Sequence, residues 1–164
     1  MDGIDAAVIR TNGMAVVEPI SGLTITYSPE FRRELQSVLG GDRRIEQVSR
    51  TLTHKHADAV ATVLKESDLS PDDIALIGFH GHTILHEPEN RRTWQIGDGA
   101  LLASLTAIDV VADFRSDDVA AGGEGAPFAP IYHAAVVPED RPLCVLNIGG
   151  VANVTWIGDS ASVG

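Results

Sequence analysis

The sequence predicts a mixed α/β domain, and three observations carry that reading. Short apolar runs end in polar, glycine-bearing loops, helical periodicity fills the stretches between them, and the first 27 residues alternate as antiparallel strands do. With 164 residues and 44% hydrophobic content, the chain is long enough for one ordinary core, so one domain, alone or with a stub of another, is expected.

The elements follow in order. Ile4, Ala6 and Val8 alternate with their neighbours, and Thr11-Asn12-Gly13 is a hairpin signal. Strands over 14–18 and 23–27, joined by Pro19-Ile20-Ser21-Gly22, complete a predicted three-stranded antiparallel meander. Ser28 caps a helix that has Pro29 in its first turn; Phe31, Leu35, Val38 and Leu39 share a face, and Gly40-Gly41 ends it. Ile45, Val48, Leu52, Ala59, Val60, Val63 and Leu64 are spaced for one long amphipathic helix to about residue 65. His54 and His56 lie on different faces of it and are assigned to packing or solvent.

Ser70-Pro71-Asp72-Asp73 reads as a turn, and 74–79 as a buried strand of the parallel kind that ends in His80-Gly81-His82-Thr83. Residues 84–96 predict an irregular hairpin interrupted by Glu87-Pro88-Glu89-Asn90. Asp98 caps a helix bearing Leu101, Leu102 and Leu105, and 109–112 returns as a strand, making a strand–helix–strand crossover. A short helix over 129–137 precedes a last buried strand over 143–148, in which Cys144 is read as packing; a glycine turn then leads to a further strand. This order is compatible with a ribonuclease-H-like α/β lobe.

Composition narrows the function. Lys plus Arg total 12 against 23 for Asp plus Glu, a net charge of −11, which argues against nucleic acid as a partner. No apolar run approaches the roughly 18 residues of a membrane helix and no signal core is present, so a cytoplasmic location without a membrane partner is expected. The single cysteine excludes an internal disulfide.

Chemistry concentrates at loops that follow strands. Ala112-Asp113-Phe114-Arg115 brings a carboxylate and a guanidinium off a strand end, where ligands of open α/β sheets gather. If the strand continued, Asp113 and Arg115 would project to one side, as a ligand site or as a surface ion pair. Gly122, Gly123 and Gly125 permit close backbone approach to a ligand. An aspartate is ionised at neutral pH, so Asp113 is a candidate proton acceptor. His80, Gly81 and Thr83 offer a ring nitrogen, an approachable backbone and a hydroxyl to a polar ligand, whereas His80, His82 and His86 lack the ligand spacing of a familiar metal site. Gln95 stands beside a glycine-flanked helix start, and Trp94 suits a sugar face and the core equally. Asn147-Ile148-Gly149-Gly150-Val151-Ala152-Asn153 matches neither common nucleotide fingerprint, although a glycine turn between strands can hold a phosphate.

Six motifs in order, Asp2-Gly3-Ile4-Asp5-Ala6-Ala7, Phe79-His80-Gly81-His82-Thr83, Gln95-Ile96-Gly97-Asp98, Asp113-Phe114-Arg115, the run 122–127 and the run 146–155, closely resemble those of anhydro-N-acetylmuramic acid kinases. The resemblance implies the sugar kinase, Hsp70 and actin superfamily, whose members bind ATP between two ribonuclease-H-like lobes. It implies that 1–142 is an incomplete N-terminal lobe and 143–164 the start of the second. The implied reaction is ATP- and Mg2+-dependent phosphorylation of 1,6-anhydro-N-acetylmuramic acid at O6, with hydrolytic opening of the anhydro ring, in peptidoglycan recycling. By the same resemblance Asp113 is the general base, His80, Gly81, Thr83, Gln95 and Arg115 are substrate-side residues, and Asp2, Gly3, Gly149, Gly150 and Asn153 border the phosphates.

The chain departs from the family pattern in three ways. The strand and Ser-Gly-Thr-Ser segment that usually precede Asp2-Gly3 are absent, His82 and Glu124 replace the usual glutamines, and the sequence stops at Gly164 as the second lobe begins. On this reading the chain alone is an inactive fragment whose exposed strand edges favour a homo-oligomer. A noncatalytic amino-sugar-binding or regulatory module is the alternative, and a hydrolase that opens the ring without ATP is a third reading that lacks an evident second acid.

Overall fold

The computed structural model describes residues 2–14, 16–41, 44–137, 141–148 and 152–159. Its architecture is mixed α/β, with four two-stranded sheets among the described residues. The chain divides into two compact units: Met1–Val8 with Ile20–Gly125, and Ile9–Pro19 with Ala126–Gly164.

The first unit begins with strands β1 (Gly3–Thr11) and β2 (Val17–Thr26), whose far ends belong to the second unit. Tyr27 N–H donates to the Asp2 carbonyl and Thr24 Oγ1 to the Asp5 carboxylate, which fixes an antiparallel register. The predicted three-stranded meander is corrected here to one long hairpin, with Pro19 to Gly22 inside β2. Each strand of a two-stranded sheet has a free edge, so Pro19 needs no ladder partner for the N–H it lacks.

Helix α1 (Pro29–Ser37) starts as its sequence requires: the Ser28 hydroxyl accepts from Phe31 N–H, with Pro29 at the first position. Helix α2 (Ile45–Glu66) buries Val48, Leu52, Ala59, Val63 and Leu64 along its predicted stripe. Ile4, Tyr27, Phe31, Leu35, Val38, Leu52, Ile84 and Ile96 form the main core cluster; Val8, Val63, Leu64 and Ile108 form a second. Leu39 and Leu105, predicted on buried faces, are exposed; Leu39 lies past the last residue of α1.

Strand β3 (Ile77–Phe79) pairs in parallel with β6 (Val110–Ala112), Phe79 opposite Ala112. The parallel pairing agrees with the sequence reading, but β3 is shorter than predicted and Leu76 before it is exposed. Between them lie the hairpin of β4 (His82–Glu87) and β5 (Arg92–Ile96) and helix α3 (Gly99–Thr106), which packs on α2 and β6. Short helix α4 (Ser116–Ala120) packs on β5.

In the second unit, α5 (Ala129–Val136) packs on β8 (Ala152–Ile157), which pairs antiparallel with β7 (Leu143–Ile148). The His133 ring meets Thr155 Oγ1 at 2.9 Å. β7 is not the buried strand predicted from its apolar run: Leu146, Ile148 and Cys144 are exposed, so Cys144 is not core packing. A continuous apolar run does not say which faces are covered, and β7 has β8 as its one strand partner among the described residues.

Candidate functional site

Because β3 and β6 run parallel in register, the residues that follow them leave the same sheet end side by side. Phe79 is opposite Ala112, so His80 and Asp113 begin adjacent loops at the carboxyl ends of the two strands. Both are exposed. The sequence reading placed Asp113 and Arg115 on one side only if the strand continued through them; it does not, since β6 stops at Ala112 as predicted, Asp113 adopts φ +58°, and Arg115 precedes α4. Ser116 Oγ donates to Asp113 Oδ1 at 2.5 Å, an interaction three residues along the chain that favours a turn over extended backbone. Aspartate tolerates the left-handed region better than most residues.

The glycine-rich loop is tied to α4 through Asp118, which sequence reasoning did not single out. Asp118 Oδ2 accepts from Gly125 N–H at 2.7 Å and the Asp118 carbonyl from Gly123 N–H at 2.8 Å. A Cβ on Gly123 would fall on the Asp118 carboxylate, and one on Gly125 would meet Val119, Arg115 and the His86 ring. Two of the three glycines are therefore required by close packing within the loop, and Gly122 by its φ of +97° alone. Glu124 is exposed.

The hairpin carries a polar strip. Thr83 pairs with Gln95, and Gln95 Nε2 donates to Thr83 Oγ1 at 3.2 Å and to Thr93 Oγ1 at 2.8 Å. Gln95 Oε1 is buried with no partner among the described residues, as are Arg115 Nε and His82 Nε2. The register shifts between Thr83 and Leu85, so Leu85 pairs with Trp94 and the extra residue, Ile84, enters the core. Trp94 is 43% exposed, which removes the core alternative for it. Helix α2 supplies two further supports that sequence reasoning missed: Ser49 Oγ accepts from Gly97 N–H at 2.9 Å, and the fully buried Thr53 Oγ1 accepts from Asp98 N–H at 3.0 Å.

His56 also belongs to this neighbourhood. Its Nδ1–H donates to the Leu52 carbonyl at 2.8 Å and its ring meets Phe79 edge-on at 4.9 Å. His80 Nδ1–H donates to the Gly81 carbonyl at 3.1 Å. Burial lowers His56, His80 and His82 below the ordinary imidazole value of 6.5; Arg115 further lowers His80, and His80 acts on the other two. No group of three metal-ligating side chains occurs among the described residues.

These shifts have a stability consequence. A base whose folded pKa is depressed is neutral in both states above 6.5, while below it the unfolded chain takes up protons first. Stability should therefore be flat above about pH 6.5 and fall as the pH drops toward about 5, before most carboxylates titrate. Urea midpoints measured across that window should show the fall, and His56→Gln should flatten it; a profile unchanged by the substitution would remove His56 from the effect.

The remaining site residues lie apart in sequence. Asp2 is exposed, and its carbonyl accepts from Tyr27 N–H and Arg32 Nη2. A Cβ on Gly3 would lie 2.2 Å from the Ile25 carbonyl oxygen, so only glycine fits there. Asn153 is exposed on β8, in the second unit. Gly149 and Gly150 lie outside the described residues. No helix among the described residues is long and apolar enough to cross a membrane.

Comparison with known proteins adds an independent line. Residues 1–164 match the family model described as anhydro-N-acetylmuramic acid kinase. The chain is 51% identical over 164 residues to the anhydro-N-acetylmuramic acid kinase of Paramagnetospirillum magneticum, covering 99% of this chain and 46% of that protein. It is 46% identical over 171 residues to that of Acidiphilium cryptum (99% and 46% covered) and 49% identical over 167 residues to that of Gluconobacter oxydans (96% and 45%). The chain thus spans about half the length of the curated relatives it matches.

Proposed function

The chain belongs to the anhydro-N-acetylmuramic acid kinase family, and on that premise we propose that it contributes the sugar-side half of an ATP-dependent phosphorylation of 1,6-anhydro-N-acetylmuramic acid. The observation that supports this most directly is the exposed Asp113 carboxylate at the carboxyl end of β6, beside the His80 loop and held by Ser116. On this reading 1–142 form an N-terminal ribonuclease-H-like lobe, 143–164 open the second, and the protein works in the cytoplasm on the sugar released by cell-wall turnover.

Asp113 takes a proton from a water molecule that attacks the anomeric carbon. The C1–O6 bond breaks as the new C1–O bond forms, and O6, freed from the ring, takes the γ-phosphoryl group of ATP, leaving ADP and N-acetylmuramic acid 6-phosphate. The reaction so written resembles that of an inverting glycosidase in which phosphoryl transfer accompanies departure of the leaving oxygen. Thr83, Gln95, Gly81 and His80 orient the sugar from the β3–β4 side, and Arg115 offers its guanidinium from the other. Gln95 Oε1 and Arg115 Nε are buried without a hydrogen-bond partner among the described residues, which suits them to a polar ligand.

Mg2+ supplies charge neutralisation at the phosphates when bound. The residues fit that use: Mg2+ is commonly held by one or two carboxylates together with substrate phosphates and water, and Asp2 presents an exposed carboxylate beside a glycine whose Cβ position is blocked by backbone. Gly149, Gly150 and Asn153 are assigned to the same phosphate-holding role.

The test is incubation with the anhydro sugar, with and without Mg-ATP, of residues 1–164 alone and of a protein of the relatives' full length that contains them, following ADP and sugar phosphate together. Stoichiometric formation of both, dependent on ATP, is expected of the full-length protein, and sugar binding without turnover of residues 1–164 alone; the outcomes that follow refer to the full-length protein. Ring opening without ATP would replace the kinase reading by a hydrolase, and binding without turnover by a noncatalytic sugar-binding module.

A further inference from the structure

The turn Gly97-Asp98-Gly99 lies where the loops of the proposed sugar site meet. It follows the end of β5, which carries Gln95. A Cβ on Gly97 would lie 2.6 Å from Cζ of the Phe79 ring and 3.3 Å from Gly81 Cα, so the turn packs against the residues on both sides of His80. A Cβ on Gly99 would lie 3.1 Å from that of Ala112, the last residue of β6 before Asp113. The segments carrying Gln95, His80 with Gly81, and Asp113 thus bear on one piece of backbone.

That backbone is held from α2. Ser49 and Thr53 are four residues apart and share a helix face. Ser49 Oγ accepts from Gly97 N–H at 2.9 Å and Thr53 Oγ1 from Asp98 N–H at 3.0 Å. A hydroxyl has one hydrogen, and that of Thr53 is committed to the Ser49 carbonyl at 2.8 Å, which leaves its oxygen free to accept. Thr53 is fully buried, so it reaches the turn without touching a ligand. Three residues on, the His56 ring meets the same Phe79 ring edge-on.

We propose that Thr53, assisted by Ser49, is a positioning residue for the sugar-side site: its hydroxyl fixes the 97–99 turn, and the turn sets the spacing of Gln95, the His80 loop and Asp113. The assignment rests on the sugar-side reading of those loops. It gives α2 a part in substrate recognition although its two hydroxyls act only through the turn.

The test uses the full-length protein that contains these residues. Thr53→Val keeps nearly the same shape and removes the oxygen. It should raise KM for 1,6-anhydro-N-acetylmuramic acid about tenfold and leave KM for ATP unchanged, and Thr53→Ser should restore most of the loss. Partial unfolding alone would lower kcat with the folded fraction and move neither KM. Ser49→Ala, at a half-buried position, is the milder second variant and should raise the sugar KM about threefold. An unchanged sugar KM in the folded variants, with or without a lower kcat, overturns the assignment. A second readout needs no turnover: the side-chain amide resonances of Gln95 should move in Thr53→Val and return in Thr53→Ser, with the exposed Gln36 on α1 as the fixed reference. If the unsubstituted protein fails to phosphorylate the sugar while those resonances move, the kinase reading falls and the positioning stands; unmoved resonances overturn the positioning whether or not the kinase reading holds.

Discussion

Asp113→Asn should lower kcat by about 10²–10⁴-fold, the usual contribution of a positioned general base, while sugar affinity changes little. The substitution isolates chemistry from structure for two reasons. Asparagine is also enriched at positive φ, so the backbone at +58° is retained. Its amide oxygen can still accept from Ser116 Oγ, so the loop keeps its tie to α4. What is lost is the ability to take a proton from water. Steady-state kinetics together with calorimetric sugar binding measure the two effects separately. A kcat within a few-fold of the unsubstituted protein would remove Asp113 from the base role, and an equal loss of affinity would make it a binding residue instead.

The parts of this site that were legible in the sequence are those encoded by short-range chemistry. Ser28-Pro29 and Asp98 announce helix starts because a side-chain oxygen reaches a nearby N–H, and both caps are present. The stripe on α2 was readable because one long helix samples its period many times. The loops after β3 and β6 could be placed together once a parallel crossover was inferred.

What was not legible depends on distant partners or on how strands are covered. Ser49 and Thr53 look like ordinary helix residues, yet they accept backbone N–H bonds from Gly97 and Asp98, 48 and 45 residues on. No local pattern foretells that. The end of β6 at Ala112 was read correctly, but the path beyond it was left open, because an apolar run does not say how the chain leaves the strand; here Asp113 turns at φ +58° with Ser116 bonded to its carboxylate. Pro19 was taken as a turn residue, although a strand with a free edge accommodates it equally well. Cys144 and its neighbours show the same gap: hydrophobicity predicted burial, but burial needs a covering layer that a run of side chains does not specify.

Gly81→Ala should be among the most damaging single-methyl changes in the protein. Gly81 holds φ +69°, and non-glycine residues in that region carry about 1–3 kcal/mol of strain. A Cβ there would also lie 2.3 Å from the Ile96 carbonyl oxygen and 3.2 Å from its carbon. Those are backbone atoms of a residue in the main core cluster that pairs with His82, so they cannot swing aside as a side-chain tip would. Relief requires the β4–β5 hairpin to shift, which adds an overpacking cost of about 1–3 kcal/mol and disturbs the Thr83–Gln95 contact beside it. Gly122→Ala is the matched control, because φ there is +97° but nothing lies within 4 Å of the new methyl. Urea unfolding of both variants separates the two contributions: Gly122→Ala should show the backbone strain alone, and Gly81→Ala that strain plus the clash. Equal destabilisation would mean that the Ile96 carbonyl does not press on Gly81, and the glycine between the two histidines would then owe its place to backbone conformation only.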